Sequence, residues 1–136
     1  MAIQQQNRYA PLAAAQLYYS LLNRDIEYEL VPMQEANGLG LMVWSPLSGG
    51  FLSGKYTRDN PDGGAGRLSG FSFPPIDRAL GYNVVDQLQQ LAREYGATPA
   101  QIALAWLLAK KHVSSIVIGG SQLTQIESNL GAAAID

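Results

Sequence analysis

The chain has 136 residues, of which 47% are hydrophobic and 15% charged, and its formal net charge is −2. This length and composition suit one domain with an apolar core, and the lack of a basic block argues against binding to the phosphate backbone of nucleic acid. Because there is no cysteine and only one histidine, His112, the sequence excludes a disulfide scaffold, a thiolate metal site, a cysteine nucleophile and a multi-histidine metal site.

The first part of the chain alternates between strand and helix patterns. Residues 12–17 (LAAAQL) form a short apolar run typical of a buried strand. Residues 24–37 predict a turn followed by a helix, with Pro32 in the first helical turn and Gly38 in the left-handed conformation that ends many helices. Residues 39–44 (LGLMVW) are apolar on both alternations, which predicts a parallel strand covered on both faces.

A long irregular stretch follows, over residues 45–81. It holds most of the glycines and four of the seven prolines of the chain. Loops of this length are uncommon inside compact domains and are usually functional or disordered. We expect this loop to be poorly ordered without a ligand whose phosphates it can fold around.

Four further elements are predicted after the loop. They are a helix over 82–95 ended by Gly96, a helix opened by a capping box at 98–101, a strand over 114–118, and a helix capped by Thr124 that runs towards residue 131. Strands that alternate with helices indicate an α/β fold with about three parallel strands and flanking helices. We expect residues 1–136 to form a single domain.

A three-stranded open sheet leaves two edges of unpaired backbone, which natural proteins usually cover or pair. The pattern therefore indicates part of a larger fold, and we expect the chain to form a homo-oligomer through these edges.

The sequence contains no segment typical of membrane insertion or export. Its apolar runs fall far short of the roughly 20 residues of a bilayer span, and Met1-Ala2-Ile3 is followed by three glutamines rather than by a charged cluster and a hydrophobic block. We expect a cytoplasmic protein whose partners include neither a membrane nor a nucleic acid.

Three segments could carry chemistry. Trp44 ends a predicted strand and precedes a glycine-rich loop with one lysine, Lys55. Trp44 could stack on an aromatic ring of a ligand, and the glycine backbone and Lys55 could bind a phosphate group. Gly119-Gly120 lies between a predicted strand and a helix N-terminus, and Gln16 is a polar side chain within an apolar strand. On composition alone, a turn with a buried tryptophan and a satisfied core glutamine explain these features better than a ligand site.

The spacing of the motifs, however, resembles a known family. The motifs are QxYxxLLxRxxExE from Gln16, WSPLxxGxLxGKY from Trp44, TxxQxALAW from Thr98, VIxGS from Val117 and QxxxNL from Gln125. Their order from about residue 9 to the end is similar to the C-terminal part of the aldo-keto reductases, in particular the bacterial and potassium-channel-β-like branches.

The resemblance implies a partial TIM (β/α)₈ barrel, comprising strands six to eight with their helices. It implies that Gln16 bonds the nicotinamide carboxamide and that Trp44 stacks on the nicotinamide ring. The remaining implied cofactor residues are Ser45, Pro46, Leu47, Gly50, Leu52, Lys55 and Arg67 at the pyrophosphate, and Gly120, Ser121, Gln122, Gln125 and Asn129 at the adenosine end.

The resemblance also bears on cofactor choice and catalysis. Gln122 stands where many members have an arginine or lysine that binds the 2′-phosphate of NADP, which weakens the case for NADP. Because members of the family commonly use NADP(H), we still place NADP(H) slightly ahead of NAD(H).

The family's catalytic tyrosine, lysine, aspartate and histidine match no residue here, so no catalytic or metal-binding residue is assigned. His112 is interpreted as a surface or connecting residue.

Three functions follow from this pattern. The favoured one is a truncated aldo-keto reductase-like oxidoreductase domain that keeps part of the NAD(P)(H) site and is inactive alone in carbonyl reduction. The first alternative is an NADPH-dependent carbonyl reductase completed by homo-oligomer assembly, with Tyr56 as the nearest substitute acid. The second is a non-catalytic structural or interaction module, or a gene remnant.

Overall fold

A computed structural model of the chain describes residues 2–64, 66–70, 73 and 75–135. In chain order the helices and strands are α1 (Ala2–Asn7), β1 (Ala14–Tyr18), α2 (Leu30–Ala36), β2 (Gly40–Trp44), α3 (Arg78–Tyr95), α4 (Pro99–Leu108), β3 (Val113–Ile116) and α5 (Leu123–Leu130). Short 3₁₀ turns lie at Asp25–Glu27, Phe51–Ser53, Arg67–Ser69 and Gly131–Ala134. The predicted α/β architecture with three strands and flanking helices is confirmed.

The sheet is parallel throughout, with β2 between β1 and β3. Gln16 pairs with Met42, and Tyr18 pairs with Trp44, so each of these pairs shares one face of the sheet. The pairing of β2 with β3 contains an irregularity between Leu41 and Met42. All three strands therefore end at the same edge, which is the edge where parallel α/β folds place their ligands.

Only one face of the sheet is covered by the described residues. Leu41 and Val43 are fully buried against the helices, whereas Met42 between them is 38% exposed. Gln16 and Ser115, which lie in register with Met42, are exposed as well. The prediction that residues 39–44 are covered on both faces is therefore wrong for this chain, because an apolar run cannot show which of its two faces has a partner.

Capping residues explain where the helices begin. The capping box of α4 is present as predicted, with Thr98 and Gln101 each accepting the other's backbone N–H. Helix α3 begins at Arg78, four residues before the predicted start, because Asp77 accepts hydrogen bonds from the first-turn backbone. The prediction that Thr124 caps the last helix is wrong, since α5 already begins at Leu123.

The long loop contributes to the core. Phe51 and Tyr56 have no exposed surface, and their rings stack with centroids 5.4 Å apart and planes only 1° from parallel. Leu52 is also fully buried, and the cluster includes Val85 and Leu88 of α3. The expectation of a poorly ordered loop is wrong for residues 51–56, because this part is built into the packing of the helices.

A second cluster joins β1 to α4. The Tyr19 hydroxyl donates to Glu27 at 2.5 Å, and Arg24 bonds both oxygens of the same carboxylate. The Arg24 hydrogen bond and the Tyr19 hydroxyl hold the pKa of Glu27 at about 2, and burial raises the pKa of Tyr19. The Arg24 guanidinium also lies 5.5 Å from the centre of the Trp106 ring. These contacts fix the turn that follows β1.

Candidate functional site

The ends of β1 and β2 bring two aromatic side chains together. Tyr18 and Trp44, the last residues of their strands, are register neighbours with ring centroids 5.1 Å apart and planes tilted by 36°. Both are partly exposed, and Gln16 lies one pair further back on the same face. A polar amide and an indole therefore share the open face close to the carboxyl edge of the sheet.

A buried hydroxyl network fastens this edge to the following turn. The Tyr18 hydroxyl donates to Ser48 Oγ at 3.1 Å, and Ser48 Oγ lies 2.8 Å from Ser20 Oγ. Ser20 and Ser48 have no exposed surface, and Ser20 Oγ also accepts from the backbone N–H of Leu22. The sequence motifs missed this network, because the partners of Tyr18 and Ser20 lie about 30 residues away in the chain.

The turn after Trp44 has an unusual backbone. Ser45 and Ser48 both have φ of 50°, a left-handed conformation that is uncommon outside glycine, and Gly49 and Gly50 have φ of 66° and 91°. Ser45 Oγ accepts from the N–H of Gly49. The N–H groups of residues 48 and 50–53 bond to carbonyls within the same turn. The N–H groups of residues 48–53 are thus already bonded within the turn.

Two cations lie beyond this turn. Lys55 and Arg67 are both exposed. The Lys55 ammonium lies close to two glycines: it is 3.7 Å from the position that a Cβ atom on Gly50 would take, and 3.0 Å from that of a Cβ atom on Gly66. It therefore lies between the turn and the backbone just before Arg67. The structure thus brings the two residues that the sequence predicts at the pyrophosphate into one neighbourhood.

Three of the predicted pyrophosphate residues are covered by neighbouring side chains. Pro46 and Leu52 are buried, and Leu47 is half-buried against the same apolar cluster as Phe51. These side chains therefore pack against the core rather than line an open surface.

The predicted adenosine residues form a separate group after β3. Gly120, Ser121, Gln122 and Gln125 are exposed, and Asn129 is half-buried. The Gln125 side chain accepts from the backbone N–H of Ser121 at 3.2 Å, so it organises the start of α5. Gln122 precedes α5 without a side-chain capping bond, which leaves its amide available at a helix N-terminus that favours anions.

One aromatic residue near the site escaped the sequence analysis. Phe73, which is 58% exposed, lies with its ring centroid 6.5 Å from that of Trp44 and only 14° from parallel. It comes from the far end of the long loop, where the irregular sequence gives no signal of which strand end it approaches.

A sequence profile of the aldo/keto reductase family matches residues 1–136. This chain belongs to the aldo/keto reductase family. The resemblance read from the motifs is confirmed, and the three-stranded parallel sheet with flanking helices agrees with part of the barrel that the resemblance implies.

Curated members of the aldo/keto reductase family align along most of the chain. It is 41% identical over 134 residues to the "Putative voltage-gated potassium channel subunit beta" of Schizosaccharomyces pombe, covering 93% of this chain and 38% of that protein. It is 35% identical over 129 residues to the NADH-specific methylglyoxal reductase of Escherichia coli, covering 95% and 39%. It is 32% identical over 127 residues to the L-glyceraldehyde 3-phosphate reductase of Escherichia coli O157:H7, covering 90% and 37%. The chain thus spans about two fifths of the length of these relatives.

The tyrosine considered as a substitute acid in this aldo/keto reductase chain occupies a structural position. Tyr56 has no exposed surface, and its hydroxyl accepts a hydrogen bond from the backbone N–H of Leu68 at 3.1 Å. Its ring is covered by Phe51 on the core side and by the Lys55 ammonium, 5.1 Å from the ring centre. A hydroxyl that is enclosed in this way cannot reach a carbonyl at the edge of the sheet.

His112 is a connecting residue, as the sequence indicates, but it is not on the surface. Its side chain is 14% exposed and lies between α4 and β3, with Nδ1 4.0 Å from a Glu35 oxygen. Its ring centroid is 5.7 Å from that of Tyr19, and Nε2 is buried without a hydrogen-bond partner among the residues that the structure describes. His112 precedes the amino end of β3, opposite the edge that carries Trp44.

Two classes of site find no support in the described part of this aldo/keto reductase chain. None of its described helices is both long enough and apolar enough to cross a bilayer. Residues 2–64, 66–70, 73 and 75–135 also contain no group of three or more metal-ligating His, Asp or Glu side chains.

Proposed function

We propose that this chain forms the dinucleotide-binding part of an aldo/keto reductase and that, on its own, it binds NAD(P)(H) without reducing carbonyls. The observation that carries the proposal is the convergence at one sheet edge of an accessible Tyr18–Trp44 pair and the exposed Gln16. The exposed cations Lys55 and Arg67 lie beyond the adjoining turn.

The residues fit a nicotinamide dinucleotide by their chemistry. Trp44 offers a flat apolar surface for the nicotinamide ring, and Gln16, on the same face, offers both a donor and an acceptor for a carboxamide. Lys55 and Arg67 offer positive charge to the pyrophosphate. When bound, the dinucleotide supplies hydride chemistry; the residues of this chain bind and orient it.

The side chains around the aromatic pair support binding rather than reduction. The Tyr18 hydroxyl donates to Ser48 in the buried network, and the Tyr56 hydroxyl is enclosed in the core. Neither phenol is poised to protonate a carbonyl above the open face. We therefore assign no acid among the residues that the structure describes, and we further propose that a homo-oligomer covers the unpaired edges of β1 and β3.

The choice between the two dinucleotides stays a prediction. The family resemblance favours NADP(H), while the uncharged Gln122 and the NADH-specific relative from Escherichia coli favour NAD(H). We retain NADP(H) slightly ahead, and the experiment below measures both.

The test is a calorimetric titration of the purified chain with NADPH and NADH. We expect saturable binding that weakens about tenfold in Lys55→Met, because a charge-assisted contact is lost. Lys111→Met is the matched control, since Lys111 is also exposed but precedes the amino end of β3. An absence of binding at about 1 mM cofactor, equivalent to about −4 kcal/mol, would refute the proposal. Carbonyl-dependent oxidation of NADPH by the pure chain would refute its inactive part.

A further inference from the structure

The carboxyl edge of the sheet carries three aromatic rings in one cluster. Trp44 lies in the middle, with the Tyr18 centroid 5.1 Å away on one strand and the Phe73 centroid 6.5 Å away on the long loop. We name Tyr18, Trp44 and Phe73 the aromatic cluster. Phe73 is 58% exposed and the other two rings are partly exposed, so a ligand can reach this cluster from solvent.

Other aromatic rings of the chain already have a lysine or arginine side chain packed over them. Trp106 has the Lys110 ammonium at 4.4 Å and the Arg24 guanidinium at 5.5 Å from its ring centre, and Tyr56 and Tyr82 each have one basic group within about 6 Å. Within the part of the chain that the structure describes, no lysine or arginine lies over Tyr18 or Trp44. Because both rings are partly exposed, a cation that a ligand brings can approach them from solvent.

The network beneath the aromatic cluster holds it in place. The Tyr18 hydroxyl is tied to Ser48, which is fully buried, and Trp44 belongs to the central strand of the sheet. The Tyr18 ring is therefore held by a hydrogen bond, and the Trp44 ring packs against it with the centroids 5.1 Å apart. This packing before any ligand binds lowers the entropic cost of forming ring contacts.

A nicotinamide ring changes its charge with its oxidation state. The oxidised ring is a planar pyridinium cation, whereas the reduced dihydropyridine is neutral. Aromatic faces carry negative electrostatic potential and attract cations, most strongly at tryptophan. The neighbouring polar side chain on the open face, Gln16, is uncharged and does not oppose a positive ring.

We propose that the aromatic cluster makes this chain bind the oxidised dinucleotide, NAD(P)⁺, more tightly than the reduced form, with Phe73 as the residue that confers the preference. This inference rests on the proposed function, because it requires the nicotinamide ring to lie at Trp44. As a consequence, the fraction of the chain that has a dinucleotide bound would depend on the ratio of oxidised to reduced dinucleotide in its surroundings.

The experiment is calorimetric titration of wild type and Phe73→Leu with NADP⁺, NADPH, NAD⁺, NADH and ADP-ribose, which lacks the nicotinamide ring. A cation–ring contact at a partly exposed site predicts a preference of about three- to fivefold for the oxidised forms in wild type. Phe73→Leu reduces that preference towards parity and leaves ADP-ribose binding unchanged. Tyr95→Leu is the matched control, because Tyr95 is likewise 58% exposed but ends α3.

The outcomes separate the two proposals. Equal affinities for oxidised and reduced forms in wild type, or an undiminished preference in Phe73→Leu, would overturn this inference while ADP-ribose binding upholds the proposed function. Failure of all five compounds to bind would refute the proposed function and this inference together. Because Phe73 is exposed, a melting temperature equal to that of wild type checks that the variant is folded.

Discussion

Tyr56 offers a direct test of whether a tyrosine near the glycine-rich turn is structural or catalytic. Its hydroxyl accepts a hydrogen bond from the Leu68 N–H at 3.1 Å, and Leu68 is itself only 7% exposed. The substitution Tyr56→Phe keeps the ring and its stacking on Phe51 but removes the acceptor. The change therefore isolates one hydrogen bond that fastens the returning half of the long loop to its first half.

The expected magnitude follows from the burial of the donor. A buried N–H that loses its acceptor costs about 1–3 kcal/mol, whereas the retained ring leaves no cavity to add to this cost. For a chain of 136 residues the entropy of unfolding is about 0.3 kcal/mol per kelvin. We therefore expect Tyr56→Phe to lower the melting temperature by about 3–10 °C.

The assay is thermal and urea unfolding followed by circular dichroism, with Tyr95→Phe as the control. Tyr95 is an exposed residue whose hydroxyl has no hydrogen bond among the described residues, so its variant should remain within about 0.5 kcal/mol of wild type. A Tyr56→Phe variant as stable as wild type would show that the Leu68 N–H does not depend on this hydroxyl. Loss of a measurable carbonyl reductase activity without loss of stability would show instead that Tyr56 is catalytic.

Two further predictions concern stability. The pKa of Glu27 falls from 4.5 to about 2, chiefly through its hydrogen bond with Arg24, so its stabilising contribution is complete above pH 4.5 and is lost as the pH falls through 2. Urea unfolding between pH 5 and pH 2 should show this loss in wild type, and a Glu27→Gln variant with an equally steep decline would contradict it. Gly54→Ala should lower the free energy of unfolding by about 1–3 kcal/mol, because Gly54 has φ of 86° and an added Cβ would lie 2.9 Å from Cγ of Pro99, the first residue of α4. Gly119→Ala, with open space around its Cβ and no left-handed φ, should leave the melting temperature unchanged in the same measurement.

Local sequence signals predicted the elements well wherever the determining contacts are local. Gly38 and Gly96 have φ of 64° and 62° at the ends of α2 and α3, and the capping box at Thr98 is present. Thr124 shows the limit of such a signal. A Thr-x-x-Glu pattern also fits the first turn of a helix that begins earlier, and the chain folds in that way.

Long-range contacts could not be predicted from the sequence. The irregular loop places Phe51 and Tyr56 in the core because α3 offers an apolar face there, and no local pattern identifies that partner. The same holds at the candidate site. Trp44 was predicted at the end of a strand and Gln16 within one. The approach of Phe73 to Trp44 and the Tyr18–Ser48 bond, by contrast, depend on how the loop returns to the sheet.

Binding and proton donation are separable at this edge of the sheet. The groups suited to binding a ring, Trp44 and Gln16, face the open side, where Met42 and Ser115 are uncharged neighbours. The phenol of Tyr18 lies beside them, yet its proton points into the buried hydroxyl network at Ser48. If the proposed dinucleotide binds at this edge, neither Tyr18 nor the enclosed Tyr56 is placed to protonate a carbonyl above the open face, so any reduction there would need a proton from another group.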